Sequence, residues 1–331
     1  MTIYDIAKLA GVSASTVSRV INGKPGVGAK KRAMITELLH QYGYQPDENA
    51  RSLVTQTNHT IGILTDDLNA RRQIEGIARI ENELMNNGYF CFTKYIGTGP
   101  NAISEGFAAL VKRRVEGALL MGHTFQDHEA LSAALERYLP NIPIVLVNHT
   151  SCPDRKNSYC VGASEKRGFE VCVQRMAELG RRRLALIVDK NRVSKRAIQH
   201  YFESAVQQYP DMAGYVYTDV EPSVAGGQQL GDRLLESVPE LDGVICAQDG
   251  IAIGVMYALQ DRGKRVPEDV SIIGEDNSIQ CEACRPQLTS LDTMLSMSTL
   301  LSARVLMDVL NGGEPAHKIV LEMDLVERGT L

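Results

Sequence analysis

Residues 2–22, TIYDIAKLAGVSASTVSRVIN, leave this chain little freedom at its start. Ile3, Ile6, Ala7 and Ala10 recur at helical spacing, and Thr2 stands where a helix cap is needed. Gly11 then stops that helix, because glycine takes positive φ at no steric cost. Ser13 caps a second helix whose apolar stripe is Val17, Val20 and Ile21. A small residue at the contact (Ala7), a turn that permits positive φ and a branched plug (Val17) are what two closely crossed short helices require. This is the pattern of a helix-turn-helix. The outward face of the second helix carries Ser15, Thr16, Ser18, Arg19 and Asn22: short donors and acceptors plus one guanidinium, suited to base edges and phosphates in a major groove. Ala14 at its start can offer at most an apolar contact to a thymine methyl.

A chain of 331 residues has room for two or three domains, and 44% hydrophobic with 23% charged residues is ordinary for a globular protein. No stretch approaches 18 consecutive apolar residues, and MTIYDIAK lacks the features of an export signal. Seven cysteines without framework spacing suit free thiols, and the expected location is the cytoplasm. The formal net charge of −5 hides an asymmetry: residues 1–46 hold six basic side chains against two acidic ones, a net of +4, leaving −9 for the remainder. A basic end on an acidic body suits contact with nucleic acid through that end alone.

Downstream, Asn22-Gly23-Lys24-Pro25-Gly26 is rich in turn formers, and a third helix is predicted over 29–41 with Ala33, Met34, Leu38 and Leu39 inward. Lys30, Lys31 and Arg32 at its start are available to phosphate, and Gly28 offers no side-chain cap, so a slightly frayed start is expected. After Pro46, residues 47–54 suit about two turns of helix, too short to be stable alone. From residue 59 onward strands alternate with helices. Strands are predicted at 60–65, 89–95, 117–121 and 144–147, with helices at 71–87, 101–113 and 127–138, then strands at 184–188, 215–217, 243–246 and 271–273, with helices at 165–179, 196–207, 226–235 and 251–262. A helix at 295–310 and a strand at 319–325 close the chain. Doubly wound lobes of this kind place their ligand crevice outside the carboxyl ends of the strands.

The segment TIYDIAKLAGVSASTVSRVINGKPGV, followed by YGYQP and ARSL, closely resembles the headpiece and hinge of the lactose/galactose repressor family of bacterial transcription regulators. The likeness continues through RGKRVPEDVSIIGED to the C-terminus. It implies an N-terminal all-α helix-turn-helix headpiece (1–46), a hinge helix and linker (47–57), and an α/β two-lobed periplasmic-binding-protein-like core with parallel doubly wound sheets (58–331). The implied lobes are 58–159 with 292–317, and 160–291 with 318–331. It further implies a homodimer that binds a near-palindromic double-stranded DNA operator, most simply as a repressor, under control of a small effector held between the lobes. DNA contacts then fall to Thr2, Ser13, Ala14, Ser15, Thr16, Ser18, Arg19 and Asn22 in the headpiece, with Arg51 and Leu53 in the hinge, where Leu53 matches a leucine wedged between base pairs. Asp47-Glu48 departs from the family by setting acid near phosphate. No leucine heptad tail follows Leu331, so the expectation is a dimer rather than a tetramer.

The effector site is expected to draw on Asp66, Arg72, His123, Asn148, Arg196, Gln248, Glu275 and Asp276, of which Asn148, Arg196, Gln248 and Asp276 stand where the resemblance implies effector contacts. An aromatic-rich turn usual after the first strand is replaced by Asp66-Asp67-Leu68-Asn69-Ala70-Arg71-Arg72, Glu275 stands where an aromatic is usual, Thr293 replaces a glutamine and Tyr201 a glycine. Stacking surface is lost and charge gained, so the expected effector is a small hydrophilic molecule (a sugar, sugar acid or amino sugar) rather than a purine. No metal, cofactor, membrane or enzymatic activity is expected. The best enzyme rival is an NAD(P)-dependent oxidoreductase, from Gly97-Thr98-Gly99-Pro100-Asn101-Ala102, but that motif follows the second strand instead of opening the fold, and the acid nearest the right spacing is Glu116. A solute-binding transport protein would need an export signal and no headpiece. Cys281 and Cys284 read as plain thiols, since no second pair accompanies them.

Overall fold

A computed structural model describes residues 1–21, 23–44, 58–67 and 71–331. The expectations for Asn22, for the hinge helix with Arg51 and Leu53, and for the turn at 68–70 lie outside the described residues. The chain divides into two units, Met1–His59 and Thr60–Leu331.

The first unit holds α1 (Ile3–Leu9), α2 (Ala14–Ile21) and α3 (Ala29–Gln41). Ile6, Ala7, Ala10, Val17, Val20 and Ile35 are its buried side chains, so three short helices share one small core. Gly11 sits at φ +61 in the turn, as its position between two helices demands. Thr2 closes a full capping box on α1: the Asp5 N–H donates to Thr2 Oγ1 at 3.3 Å and the Thr2 N–H donates to Asp5 Oδ2 at 2.8 Å. The inward face of α3 differs from expectation. Ile35 is fully buried, with Leu38 and Leu39 partly so, while Ala33 and Met34 lie further out, Met34 at 40% exposure. Ile35, Leu38 and Leu39 obey the i, i+3, i+4 spacing, whereas 33 and 34 fall on the neighbouring face. Gly28 gives α3 no side-chain bond, yet the helix starts at Ala29, and Arg32 donates from Nη2 to the Lys24 carbonyl at 2.7 Å.

The second unit contains β1 (Thr60–Thr65), α4 (Arg71–Asn86), β2 (Phe90–Tyr95), α5 (Ala102–Arg113), β3 (Gly117–Met121), a 3-10 turn (His123–Phe125), α6 (His128–Tyr138), β4 (Ile144–Val147) and β5 (Ser158–Ala163). It continues with α7 (Glu165–Glu178), β6 (Arg183–Asp189), α8 (Lys195–Val206), β7 (Ala213–Val220), α9 (Val224–Ser237), β8 (Gly243–Cys246), α10 (Asp249–Asp261), β9 (Ser271–Glu275), α11 (Gln280–Ala283), β10 (Thr289–Asp292), α12 (Leu295–Leu310), β11 (Lys318–Leu321) and β12 (Asp324–Val326). Two six-stranded sheets result, in the orders β11-β5-β4-β3-β1-β2 and β12-β10-β9-β8-β6-β7. Every pairing among the described residues is parallel except that of β10 with β12. Strands buried on both faces read as unbroken apolar runs. In β4, Val145 and Val147 face α4 and α12, while Ile144 and Leu146 face α5 and α6. In the second lobe Leu184 and Leu186 pack on α7 and α8, and Ala185 and Ile187 on α9 and α10.

The lobe boundaries expected at 159/160 and 317/318 fall elsewhere. β5 and β11 both belong to the first sheet, paired with each other in register Lys318↔Cys160. The chain therefore passes between lobes after Ala163, near Thr293 and after Leu321. The single strand expected at 319–325 is two strands in different sheets: Ile319 packs in the first lobe, and Met323 and Leu325 pack in the second.

Candidate functional site

In the first unit the polar face of α2 is held by its own hydroxyls. Ser13 Oγ accepts from the Thr16 N–H at 3.3 Å and lies 2.8 Å from Ser15 Oγ and 2.9 Å from Thr16 Oγ1. Val17 and Val20 anchor the opposite face, so Ser15 and Arg19 stand exposed while Ala14, Thr16 and Ser18 are half-buried. Ser13 and Thr2 are exposed at the caps of α2 and α1.

In the second unit a crevice of about 1020 Å³ lies between the lobes. Its walls come from the residues that follow the strands: Asp67 after β1, Gly122 and His123 after β3, Asn148 and His149 after β4, Glu165 after β5, Asp189, Asn191 and Arg192 from β6, Gln248 after β8, Glu275 and Asp276 from β9, and Thr293 after β10. A parallel strand ends by releasing its side chains at its carboxyl end, so both lobes aim this edge at the same space.

Arg192 organises the second lobe's wall. Its Nη2 donates to Glu165 Oε1 at 2.8 Å and to both oxygens of Glu275, at 2.9 and 3.2 Å, while Nε donates to Ser194 Oγ. Burial works against the Arg192 charge, but the Glu275 and Glu165 carboxylates outweigh it and hold the guanidinium protonated above its ordinary range. Glu275 is 1% exposed, and burial pushes its carboxyl up to about 7 despite Arg192 beside it. Across the crevice, Arg72 Nη1 on α4 donates to Asp276 Oδ1 at 3.1 Å, an ion pair that joins the lobes. Asp276 sits at φ +104 and Asn148 at φ +61, backbone states that cost a non-glycine residue of order 1 kcal/mol or more and gather at functional sites. Asn148 Oδ1 accepts from Ser298 Oγ at 2.5 Å. Gln248 caps α10 without a side-chain bond, leaving Oε1 buried and unpartnered, and Thr293 Oγ1 is equally without a partner among the described residues. His149 Nε2 donates to the Gly122 carbonyl at 3.0 Å, and burial drives its imidazole down to about 4.

Of the expected effector residues, Arg72, His123, Asn148, Gln248, Glu275 and Asp276 line the crevice. Two do not. Asp66 is 3% exposed and lies beneath the wall, accepting from Gln73 Nε2 at 2.9 Å and from the Thr124 N–H at 2.8 Å, so it fixes the loop after β3. Arg196 is exposed on α8, away from the crevice wall; the guanidinium in the crevice is Arg192, in the turn before that helix. Arg192, Glu165, Asp189 and His149 were not expected there. For Asp189, Arg192 and His149 the signal was position, just past predicted strands, rather than any motif; Glu165 follows β5, a strand the sequence did not show. The Gly97–Ala102 motif forms the turn between β2 and α5, with Gly97 at φ +68. Cys284 Sγ donates to the carbonyls of Cys281 and Pro286, and no group of side chains suited to a metal occurs among the described residues.

Comparison with known proteins matches both units. Residues 2–47 match the model of bacterial regulatory proteins of the lacI family, and residues 173–331 match that of the periplasmic binding protein-like domain. An HTH-type transcriptional regulator of Lachnoclostridium phytofermentans is 29% identical over 100% of this chain and 99% of its own. The HTH-type transcriptional repressor PurR of Actinobacillus pleuropneumoniae is 29% identical over 93% of this chain and 90% of its own. The crystal structure of the lac repressor dimer bound to operator and the anti-inducer ONPF shares the fold with a TM-score of 0.89, at 24% identity, over 100% of this chain and 98% of that one.

Proposed function

From the premise that this chain belongs to the lacI family of bacterial regulatory proteins and is a DNA-binding transcriptional regulator, not an enzyme, we propose how it works. As a homodimer it represses from a near-palindromic operator, reading each half-site with Ala14, Ser15 and Arg19 of α2. Thr2, Ser13, Thr16 and Ser18 fix the helix against the backbone, and Asn22, Arg51 and Leu53 extend the contact. A small hydrophilic effector between the lobes, a sugar or one of its acidic or amino derivatives, shifts the population between operator-competent and operator-incompetent dimers. Arg72, His123, Asn148, Gln248, Glu275 and Asp276, joined by Arg192 and Glu165, hold that effector.

The observation that carries the effector reading is the wall itself. Polar side chains at eight strand ends converge on the crevice, and Tyr201 is its one phenyl or phenol ring among the described residues. Hydroxyl-rich molecules are bound by such paired donors and acceptors, whereas a flat base needs stacking surface. Isothermal titration against a panel of polyols and purine bases tests it. Heat from at least one polyol and from no base is expected; tight binding of a purine base with no polyol response overturns the reading.

A further inference from the structure

The charge on the crevice wall is unbalanced, and its sign selects among hydrophilic effectors. On the wall stand Asp67, Glu165, Asp189, Asp276 and Glu275, the last with its carboxyl pushed up to about 7, against the two guanidinium groups of Arg72 and Arg192. Glu165 and Glu275 draw on one and the same nitrogen of Arg192, so a single cation serves two carboxylates. Asp276 takes one bond from Arg72. Asp189 is 8% exposed, and its carboxylate accepts the Asn191 N–H, at 3.0 Å, with no cation partner among the described residues. The further cations, Lys166 and Lys318, stand at the rim, and Lys166 faces Glu170. Burial keeps His149 neutral near pH 7, so it adds no positive charge.

A second observation, independent of the acids, points to a ligand on the same wall. Thr293, 6% exposed, has its hydroxyl unpartnered among the described residues on this wall, and Gln248, whose Oε1 is buried and unpartnered, lines it as well. Buried polar atoms are rarely left so, and a ligand that satisfies them is the ordinary explanation. A carboxylate ligand would approach the acids of this wall, Asp189 without a cation partner among the described residues. An ammonium group brings three donors and no acceptor, together with the missing charge. Tyr201 adds an aromatic ring to the same lobe's wall, a surface that favours cations.

We propose that the effector of this regulator carries a protonated amine, seated against Asp189 and the Glu275–Asp276 strand end. The inference rests on the polar-effector reading above and narrows it to one class. Neutralising the amine by acylation removes both the charge and two of its donors, so the N-acetyl form of the effector binds poorly.

The test is calorimetric titration of the full chain with the three common hexosamines, their N-acetyl forms, the parent hexoses and the matching hexuronic acids. One hexosamine binds at least about tenfold more tightly than its N-acetyl, neutral and uronic counterparts. Asp189→Asn, whose folding is verified by its melting temperature, loses that preference, the hexosamine weakening at least about tenfold more than the parent hexose. Glu275→Gln provides the second variant and weakens the hexosamine more than the parent hexose, narrowing the gap between them. An N-acetyl form that binds as well as its amine, or a uronic acid that binds better, overturns this inference and leaves the polar-effector reading intact. A purine base that binds when no sugar derivative does overturns both.

Discussion

His149 shows how one buried side chain ties the crevice to pH. Burial lowers its imidazole to about 4 from an ordinary 6.5, so the folded core holds the neutral form. The resulting stability is fully present above about pH 6.5 and is lost as pH falls from there towards 4, on the order of 3 kcal/mol in all. Melting temperatures across that window should fall for the natural protein and fall less for His149→Gln. Gly122 is constrained from two sides. Its φ is +118, and a Cβ there would lie 1.9 Å from Asp66 Oδ1, which is itself fixed by Gln73 and Thr124. Gly122→Ala should cost roughly 2 kcal/mol or more, read as a lowered denaturation midpoint. Six of the eight expected crevice residues were legible from sequence, because strand ends could be placed and the family's pattern followed. Arg196 misled because it heads a helix, whereas Arg192 belongs to the turn where the strand releases its side chains. Asp66 misled because a carboxylate one residue past a strand can turn inward to bind backbone as readily as outward to bind ligand.

At the scale of elements, helices were legible wherever an apolar stripe was long. α4, α5, α6 and α12 lie within a residue of where periodicity put them. Two strands escaped. β10 reads Thr-Ser-Leu-Asp, polar enough to pass for loop, yet Thr289 and Ser290 are fully buried because the Thr289 N–H donates to Thr330 Oγ1 and Ser290 Oγ donates to Asp249. Hydrogen bonds to residues so distant in sequence cannot be read from local pattern. β5 hid behind the turn at 154–157, and missing it displaced the lobe boundary. In the first unit, Thr2→Ala removes the hydroxyl half of the α1 capping box and should cost about 1 kcal/mol of headpiece stability, measured by chemical denaturation. On α2, Arg19→Ala should weaken operator binding by about 1–3 kcal/mol if the guanidinium reads a guanine edge, with relaxed preference at one base position in a binding-site selection. An unchanged operator affinity would remove Arg19 from the interface.

For the whole molecule, the amino-acid sequence already splits the charge: a net of +4 over residues 1–46 on a chain of −5. Phosphate contacts release counterions, so operator affinity should fall steeply with salt, whereas effector binding to the acidic core should respond through local charge pairs. The most direct measurement is fluorescence anisotropy of the full-length protein on a labelled duplex carrying the palindrome upstream of its own gene, titrated with and without the hexosamine series. Saturable, sequence-selective binding that an amine effector shifts by at least about tenfold is the predicted result. Binding that is absent at low salt, or that is selective but indifferent to every small molecule occupying the crevice, would contradict it.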